Sequence, residues 1–328
     1  MVNPITDFGE THDVEITLLV DNRADLLLES TETVKRFTRK PLLAEHGFAA
    51  LIDLKAAGQR ILWDAGIGST ALVHNARQME IDLASVNQIA LSHGHGDHYG
   101  ALGQVLEMAA RRPEPREWAP EVPVHEIEAY VQGQRIPLIA HPAAFRERWK
   151  VDEEGKKYGP HVVPLEAWEA AGVRVVLSEA PYQLGPGCWL TGAVPRTSFE
   201  KGGISSSRAY RHGYEFLDDG LEDDQSVALA IRDKGLVVLT GCAHAGIVNT
   251  VEHARRISGV DRVWAVAGGF HLAGAEEDEI ERTVEAIARL KPALVVPCHC
   301  TGFEATARFA ARLPDQFVLG AVGTTLLF

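Results

Sequence analysis

Cysteine is scarce in this sequence. There are four in 328 residues, at Cys188, Cys242, Cys298 and Cys300. They are too few and too unevenly spaced for a disulfide framework, so reduced thiols are expected. No apolar run approaches membrane-spanning length, and the polar first residues lack the basic and apolar regions of a signal peptide. These absences predict a cytoplasmic protein with no membrane partner.

Positive charge is also in deficit. Lys and Arg number 32 against 45 Asp and Glu, which gives a formal net charge of −13. A surface of this sign repels phosphate backbones, and no local basic patch offsets it, so nucleic acid is not an expected partner. Hydrophobic residues make up 46% of the chain, enough for a sizeable core. We expect a single domain over residues 1–328. The sequence does not indicate whether the protein is a monomer or an oligomer.

Apolar runs and helical spacing alternate along the chain. Strands are predicted at Val14–Val20, Phe48–Leu54, Arg60–Trp63, Pro137–Ala140, Val173–Leu177, Trp189–Val194, Ser226–Ile231, Leu236–Thr240, Val263–Val266, Ala293–Val296 and within Phe317–Phe328. Helices are predicted at Ser69–Met79, Ala101–Arg111, Ile247–Ile257, Glu277–Leu290 and Ala305–Arg312. Two β-rich stretches, each followed by helices, predict an α+β fold with two sheets face to face and helices outside, a four-layer αββα sandwich.

Two segments interrupt this plan. Residues 111–136 begin with a charged, proline-rich stretch that favours an exposed excursion. Residues 199–224 contain four glycines, a serine run and basic residues, and a loop of that length is either a lid or a disordered linker. The aromatic residues in this second segment favour a lid that contacts a ligand. Arg208 and Arg211 within it, and Arg196 just before it, are candidates for binding an anionic substrate.

The most informative motif is His93-Gly94-His95-Gly96-Asp97-His98. Neutral imidazole nitrogens and carboxylate oxygens are the ligands that hold zinc, iron or manganese in hydrolytic sites. If a strand ends at Leu91, His93 and His95 project to one side and the last two ligands follow a turn, which suits two adjacent ions. The alternative is a His-rich surface loop, or a helix start capped by Asp97.

Three further histidines follow predicted strands: His244, His271 and His299. Loops at the carboxyl ends of strands are where layered α/β proteins build their sites, so these positions reinforce the first motif. Asp64 also follows a strand and can accept the free N–H of a ligating imidazole. His271 is the candidate acid or base, because histidine titrates near neutral pH, with a structural histidine as the alternative.

Together these motifs resemble the metallo-β-lactamase superfamily. The residues that carry the resemblance are His93–His98, the turn Trp63–Gly66 and the later histidines. The segments Gly241–Asn249, Gly268–Leu272 and Pro297–Gly302 further resemble a narrower family, named for 7,8-dihydropterin-6-yl-methyl-4-(β-D-ribofuranosyl)aminobenzene 5′-phosphate synthase. The resemblance implies an αββα fold with a mononuclear or dinuclear metal site.

The resemblance also implies a set of ligands. His93, His95 and His244 would hold one metal ion, and Asp97, His98 and His299 the second. Cys242 stands where the superfamily has a bridging carboxylate, and a small buried thiol is its alternative role. Cys298 and Cys300 flank His299 and would point away from it in an extended segment, so we expect both to pack and not to coordinate. The expected cofactors are two divalent ions, zinc first, with iron or manganese as alternatives.

These features predict a metal-dependent enzyme that acts on a small, anionic, phosphate-bearing substrate, with Asp97 and His271 in catalytic roles. If the synthase resemblance holds, pyrophosphate leaves as an arylamine nitrogen attacks the pterin methylene. The alternative is a hydrolase of a phosphodiester, thioester or lactone. A dioxygen-handling di-iron protein and a non-catalytic metal-binding module are further hypotheses, which bound-metal identity and activity of the metal-loaded protein would test.

Overall fold

Two large β-sheets lie at the centre of the fold. The computed structural model describes residues 4–109, 115–201 and 208–328. The first sheet runs, in spatial order, Val34–Arg36 (β2), Thr324–Leu327 (β18), Val14–Val20 (β1), Ala49–Leu54 (β3), Gln59–Trp63 (β4), Gln88–Ala90 (β5), Ile136–Ala140 (β6) and Val173–Leu177 (β9). The second runs Tyr182–Gly185 (β10), Cys188–Leu190 (β11), Ser226–Ile231 (β14), Gly235–Thr240 (β15), Val263–Gly269 (β16) and Leu294–Cys298 (β17).

Alternating side chains join the sheets into layers, because successive residues of a strand point to opposite faces. Val237 and Leu239 of β15 pack between the two sheets, together with Ile52 and Trp63 from the first sheet. Val238, between them in sequence, faces the helices outside the second sheet. Each sheet therefore has one face in the central core and one face under helices.

The helices cover the outer faces. Ser69–Gln78 (α1), Gly96–Tyr99 (α2), Leu102–Ala109 (α3), Val124–Gly133 (α4) and Leu165–Ala170 (α5) follow strands of the first sheet, and Ile247–Ser258 (α6), Glu277–Arg289 (α7) and Phe303–Arg312 (α8) follow strands of the second. Side chains of α1, α3 and α5 pack on the first sheet, and those of α6, α7 and α8 on the second. The predicted four-layer αββα sandwich is confirmed.

A third sheet was not predicted. It consists of Glu215–Asp218 (β13), Arg208–His212 (β12), Arg148–Val151 (β7) and Lys157–His161 (β8), all antiparallel. The interpretation of residues 199–224 as one long loop is therefore wrong, because two strands pair within it. Residues 202–207 of that segment lie outside the described residues. The other excursion, 111–136, contains α4, and its residues 111–114 are also outside the description.

Some predicted bounds also differ. The strand predicted at Trp189–Val194 ends at Leu190, because Gly192 adopts a left-handed conformation (φ 64°) that turns the chain away from the sheet. In the terminal region Phe317–Phe328 only Thr324–Leu327 pairs as a strand, while Phe317 makes a single bridge to Val295.

The candidate site lies where the parallel strands of the two sheets end. Strands β4 and β5 are parallel in the first sheet, and β15, β16 and β17 are parallel in the second. Parallel neighbours end at the same edge, so the residues that follow these strands converge. The residues directly after the five strands include Asp64, His93, Cys242, His271 and His299.

Candidate metal centre

Three imidazoles form the first group of candidate ligands. His93 Nε2 lies 2.9 Å from His95 Nδ1 and 3.1 Å from His244 Nε2. Two nitrogens bound to one tetrahedral zinc are about 3.3 Å apart, so this spacing fits a single ion. Burial lowers the pKa of each ring well below its usual value, which keeps all three neutral. Neutral rings have the lone pairs that a metal requires.

The second group surrounds Asp97. Its Oδ2 lies 3.3 Å from His299 Nε2 and 3.8 Å from His98 Nε2. His299 Nε2 is buried without a hydrogen-bond partner, since its geometry toward Asp97 is not that of a hydrogen bond. An orphaned buried nitrogen beside a carboxylate fits a metal ligand. The exposed His46 also approaches Asp97, at 3.3 Å from Nε2 to Oδ2.

Cys242 lies between the two groups. Its Sγ is 3.1 Å from His98 Nε2. It also lies within 4.8 Å of a ring nitrogen of His93 and of His244. The thiol is therefore placed where one sulfur can contact ligands of both groups. Its role as a bridging ligand stays a prediction.

Asp64 orients His98, as predicted. Its Oδ2 accepts from His98 Nδ1 at 2.7 Å and from Ser92 Oγ at 2.7 Å, and its Oδ1 accepts from the Ser92 backbone N–H at 2.7 Å. With Nδ1 protonated toward Asp64, the Nε2 lone pair of His98 faces Asp97 and Cys242. Burial opposes protonation of His98, but the charges of Asp64 and Asp97 outweigh it and raise its pKa to about 9. An ion bound at Nε2 would therefore displace a proton from that nitrogen.

Neighbouring histidines lower the pKa of Asp97. Burial alone would raise the pKa of this carboxyl, but His98 and His299 hold it well below its usual range. These neighbours therefore favour the anionic form of Asp97. The site therefore combines carboxylate oxygen with imidazole nitrogen. These are donors that divalent zinc, iron and manganese all accept.

Two residues that sequence reasoning missed position His299. Asp21 Oδ1 accepts from the His299 backbone N–H at 2.7 Å, and Asn22 Oδ1 accepts from His299 Nδ1 at 3.0 Å. Burial raises the pKa of Asp21 to about 6. Both residues directly follow β1, so their position after a strand end was the available signal.

The prediction that Cys300 points away from the site is wrong. Residues His299–Thr301 form one turn of 3-10 helix, so the segment is not extended and Cys300 does not point away from the site. Its Sγ, Cys242 Sγ and a His299 nitrogen lie within 4.8 Å of one another. Burial opposes ionisation of Cys300, but its contacts with Cys242 and His271 lower its pKa well below the usual value. Cys298 does pack, as predicted, in the core between the sheets.

His271 lies beside the ligand groups. Its ring centroid is 4.1 Å from that of His244, and its Nδ1 is buried without a hydrogen-bond partner. Burial lowers the pKa of His271, but contact with Cys300 raises it above the usual value overall. The backbone of His271 is left-handed (φ 47°), an uncommon state for a residue with a side chain. Its role as acid or base stays a prediction.

A cavity of ≈ 330 Å³ opens beside both groups. His95 and Asp97 border it on the side of the candidate ligands, and Trp149, His161 and Arg208 border it on the side of the third sheet. Both ligand groups therefore face one space large enough for part of a small molecule.

The three arginines predicted to bind substrate lie in different settings. Arg208 lines the cavity. Arg196 donates to the carbonyl oxygens of His244 at 2.6 Å and Gly220 at 2.8 Å, so it holds loops together. Arg211 pairs with Glu147, at 2.5 Å between Nε and Oε2, and does not line the cavity. Substrate binding by Arg196 and Arg211 is therefore not supported, because their guanidinium groups already have protein partners.

A buried ion triad joins the third sheet to the ligand loop. Arg148 of β7 donates from Nε to Asp219 at 2.6 Å and from Nη2 to Asp223 at 2.6 Å, and the three side chains are 4%, 0% and 0% exposed. The other oxygen of Asp223 accepts from the Gly94 N–H at 2.7 Å, between His93 and His95. This ion triad was not predicted. It gives the third sheet a direct connection to two candidate ligands.

Comparison with known proteins decides the family. Residues 44–299 match the family model of the metallo-β-lactamase superfamily. The chain belongs to this superfamily. Its members are generally enzymes and bind divalent metal ions. Among the described residues of this metallo-β-lactamase-fold protein, no helix has the length and apolar character needed to cross a membrane.

One relative agrees with the narrower resemblance. A Methanocaldococcus jannaschii protein named 7,8-dihydropterin-6-methyl-4-(beta-D-ribofuranosyl)-aminobenzene-5'-phosphate synthase is 31% identical over 283 residues, 84% of this chain and 88% of the relative. An uncharacterised protein of the same organism is 30% identical over 94% of this chain and 98% of its own. The crystal structure of Tm1679, described as a metal-dependent hydrolase of the beta-lactamase superfamily, superposes with a TM-score of 0.69 at 24% identity, over 95% of this chain and 98% of that one. This last likeness concerns the fold.

Proposed function

We propose that this protein is a metal-dependent enzyme that acts on a small phosphate-bearing molecule. The observation that carries the proposal is the cavity bordered on one side by His95 and Asp97 and on the other by Arg208. An anionic group placed there would meet metal ligands and a cationic side chain at once. Because the net charge is −13, a local cation is needed to attract such a substrate.

The proposed centre holds two divalent ions, with zinc as the expected metal. His93, His95 and His244 would hold one, and Asp97, His98 and His299 the other, with Cys242 between them. When bound, such ions supply Lewis-acid chemistry that stabilises negative charge on a phosphate or pyrophosphate oxygen. Six ligands besides the thiol support two ions, because one tetrahedral ion uses four.

The protein's own groups would prepare this chemistry. Asp64 and Asn22 fix the ring orientations of His98 and His299, so both Nε2 lone pairs point toward Asp97. Arg208 would donate to the phosphate, and His271 would hold or release a proton beside the ligands. The side chains of Tyr99 and Trp149 at the cavity wall would exclude water from the reacting groups.

The substrate is proposed to resemble that of the related synthase. Its printed name describes a product with a phosphate and an aromatic amine, and similarity over 84% of this chain supports a related transfer reaction. In that reaction the arylamine nitrogen would form a bond to a carbon of the pterin substrate and lose a proton, and pyrophosphate would leave with the electron pair of the broken carbon–oxygen bond.

Product analysis tests the proposal. Zinc-loaded protein is incubated with a pterin-methyl pyrophosphate, with and without a ribofuranosylaminobenzene phosphate, and products are identified by mass. The proposal predicts pyrophosphate release with a coupled product, both abolished by chelation. Release to water alone would show a phosphate-directed hydrolase. Turnover only of uncharged lactones or thioesters would contradict the phosphate-bearing substrate class.

A further inference from the structure

Two thiols lie together at the metal centre. Cys242 Sγ, Cys300 Sγ and a His299 nitrogen are within 4.8 Å of one another, and Cys242 Sγ is 3.1 Å from His98 Nε2. We propose that Cys300 is a thiolate ligand of the second ion, beside His98, His299 and Cys242. The proposal rests on the metal centre proposed above, and it makes the two ion sites chemically unequal, because Cys242 lies between the two ligand groups and Cys300 adds a second sulfur to one of them.

The backbone directs Cys300 into the centre. His299 adopts a left-handed conformation (φ 44°), and its N–H donates to Asp21 at 2.7 Å, which fixes the start of the 3-10 turn. The turn brings Cys300 Sγ to 3.5 Å from the carbonyl oxygen of Cys242. Gly269 leaves the space, because a Cβ at that position would lie 2.7 Å from Cys300 Sγ.

Cys298 provides the contrast within the same segment. Its side chain is buried in the apolar core between the sheets, and its thiol donates to the Val296 carbonyl at 3.3 Å. Cys300 belongs to none of the apolar clusters of the described residues. Its neighbours are Cys242, His271 and His299, all of residue types that bind metals. Both thiols donate to a carbonyl oxygen, Cys300 to that of Cys242 at 3.5 Å, but only Cys298 is packed in an apolar cluster of the described residues.

Thiolate ligation has a consequence for metal choice. Thiolates are soft donors that select zinc and other soft or borderline ions over manganese and magnesium. A second site with Cys242 and Cys300 therefore disfavours manganese there. Cys242 lies near ligands of both sites, whereas Cys300 is grouped with His299 of the second site and with none of the three imidazoles of the first. The added selection by Cys300 therefore applies to the second site.

Cobalt substitution tests the inference. Reduced protein is loaded with Co²⁺, metal content is measured on the same samples, and the thiolate-to-cobalt band is recorded. We expect Cys300→Ser to lose roughly a third to a half of the band, because one of two or three sulfur–cobalt bonds disappears. Cys298→Ser is the matched control and should keep the whole band. A full band in Cys300→Ser with normal cobalt content would overturn this inference alone, whereas absent metal in wild type would overturn the proposed centre as well.

A second measurement needs no substitution. Wild-type protein is treated with iodoacetamide, zinc-loaded or chelated, and alkylated peptides are quantified by mass. We expect bound zinc to slow labelling of Cys300 at least tenfold, since a thiolate that is bound to a metal reacts more slowly with iodoacetamide than a free thiolate does. Equal labelling rates with and without bound zinc would overturn the inference, and this result decides the matter if Cys300→Ser does not fold.

Discussion

The metal centre and the third sheet are built in opposite ways. The centre lies at the ends of strands that are buried on both faces, and its candidate ligands His93, His98 and His299 are almost fully enclosed. In the third sheet, strands β8 and β13 are exposed along their whole length. One region is therefore held by the core of the molecule, and the other by a few specific contacts.

The ion triad of Arg148, Asp219 and Asp223 makes the contact with the metal centre, because Asp223 also accepts from the Gly94 N–H. Within the sheet, Phe216 of β13 packs edge-on against Trp149 of β7 at 5.4 Å between ring centroids. Since Trp149 lines the cavity, the sheet supplies its outer wall. The comparison suggests a division of roles, with chemistry at the rigid centre and substrate choice at the attached sheet.

The substitution with the largest predicted effect, Asp223→Ala, breaks the connection between the third sheet and the metal centre. Asp223→Ala leaves the Arg148 charge buried with one partner and frees the Gly94 N–H, so we expect a loss of about 3–5 kcal/mol in unfolding free energy. Urea unfolding of the metal-loaded protein measures it. Glu222→Ala is the matched control: its pair with Arg146 is exposed, and its loss should be at most about 1 kcal/mol. Equal losses would show that the triad does not hold the sheet.

A change within the centre should act on metal binding. Asp64→Asn leaves one acceptor oxygen where the carboxylate has two, so the side chain can no longer accept from both the Ser92 N–H and His98 Nδ1. Asparagine also tolerates the left-handed backbone at this position (φ 58°). We expect zinc affinity to fall about 10-fold to 100-fold, as for other residues that orient a ligating histidine. Competition with a chelating dye measures this. Asp53→Asn, on strand β3, should leave affinity unchanged, and a matching drop there would refute the orienting role.

Much of the centre, but little of the third sheet, could be predicted from the sequence. The motif His93–His98 and the histidines after β15, β16 and β17 stand beside long apolar strands, so local pattern revealed them. Strand β8, Lys157–His161, shows no alternation of apolar and polar residues because neither face is buried. Without that alternation, the sequence pattern does not reveal the strand.

Long-range pairings explain the other misses. Arg148 lies 71 and 75 residues from its partners Asp219 and Asp223, a separation that spacing rules do not reach. Cys300 was predicted to pack because the segment was taken as extended, and one 3-10 turn reversed its direction. A single turn decides which face a side chain occupies, and its geometry depends on Asp21, far away in the chain.

A smaller effect is expected where the sheet meets the substrate. Arg208→Ala should raise the Michaelis constant for a phosphate-bearing substrate about tenfold, since a hydrogen bond to a charged group is worth about 1.5 kcal/mol. Arg211→Ala is the matched control, because Arg211 pairs with Glu147 away from the cavity. Steady-state kinetics separates the two, with zinc content measured in parallel. Equal Michaelis constants for both variants would remove the main support for a phosphate at this wall.

The smallest effect concerns pH. Burial raises the pKa of Asp224 from 3.8 to about 7, and its Oδ1 has no partner. The folded state therefore keeps a proton that the unfolded state has released, and this contribution to stability is lost as pH rises from about 4 through about 7. Compared with wild type, metal-free Asp224→Asn should gain stability over that range in urea unfolding. A difference that stays constant with pH would contradict this, and the exposed Asp218→Asn serves as control.

The central claim is a two-ion centre formed by His93, His95, Asp97, His98, His244 and His299. Elemental analysis of the folded protein after zinc reconstitution and removal of loose metal tests it most directly. We expect close to two zinc ions per chain, because six ligands exceed the needs of one tetrahedral ion. Less than half an equivalent, in protein shown to be folded, would contradict it.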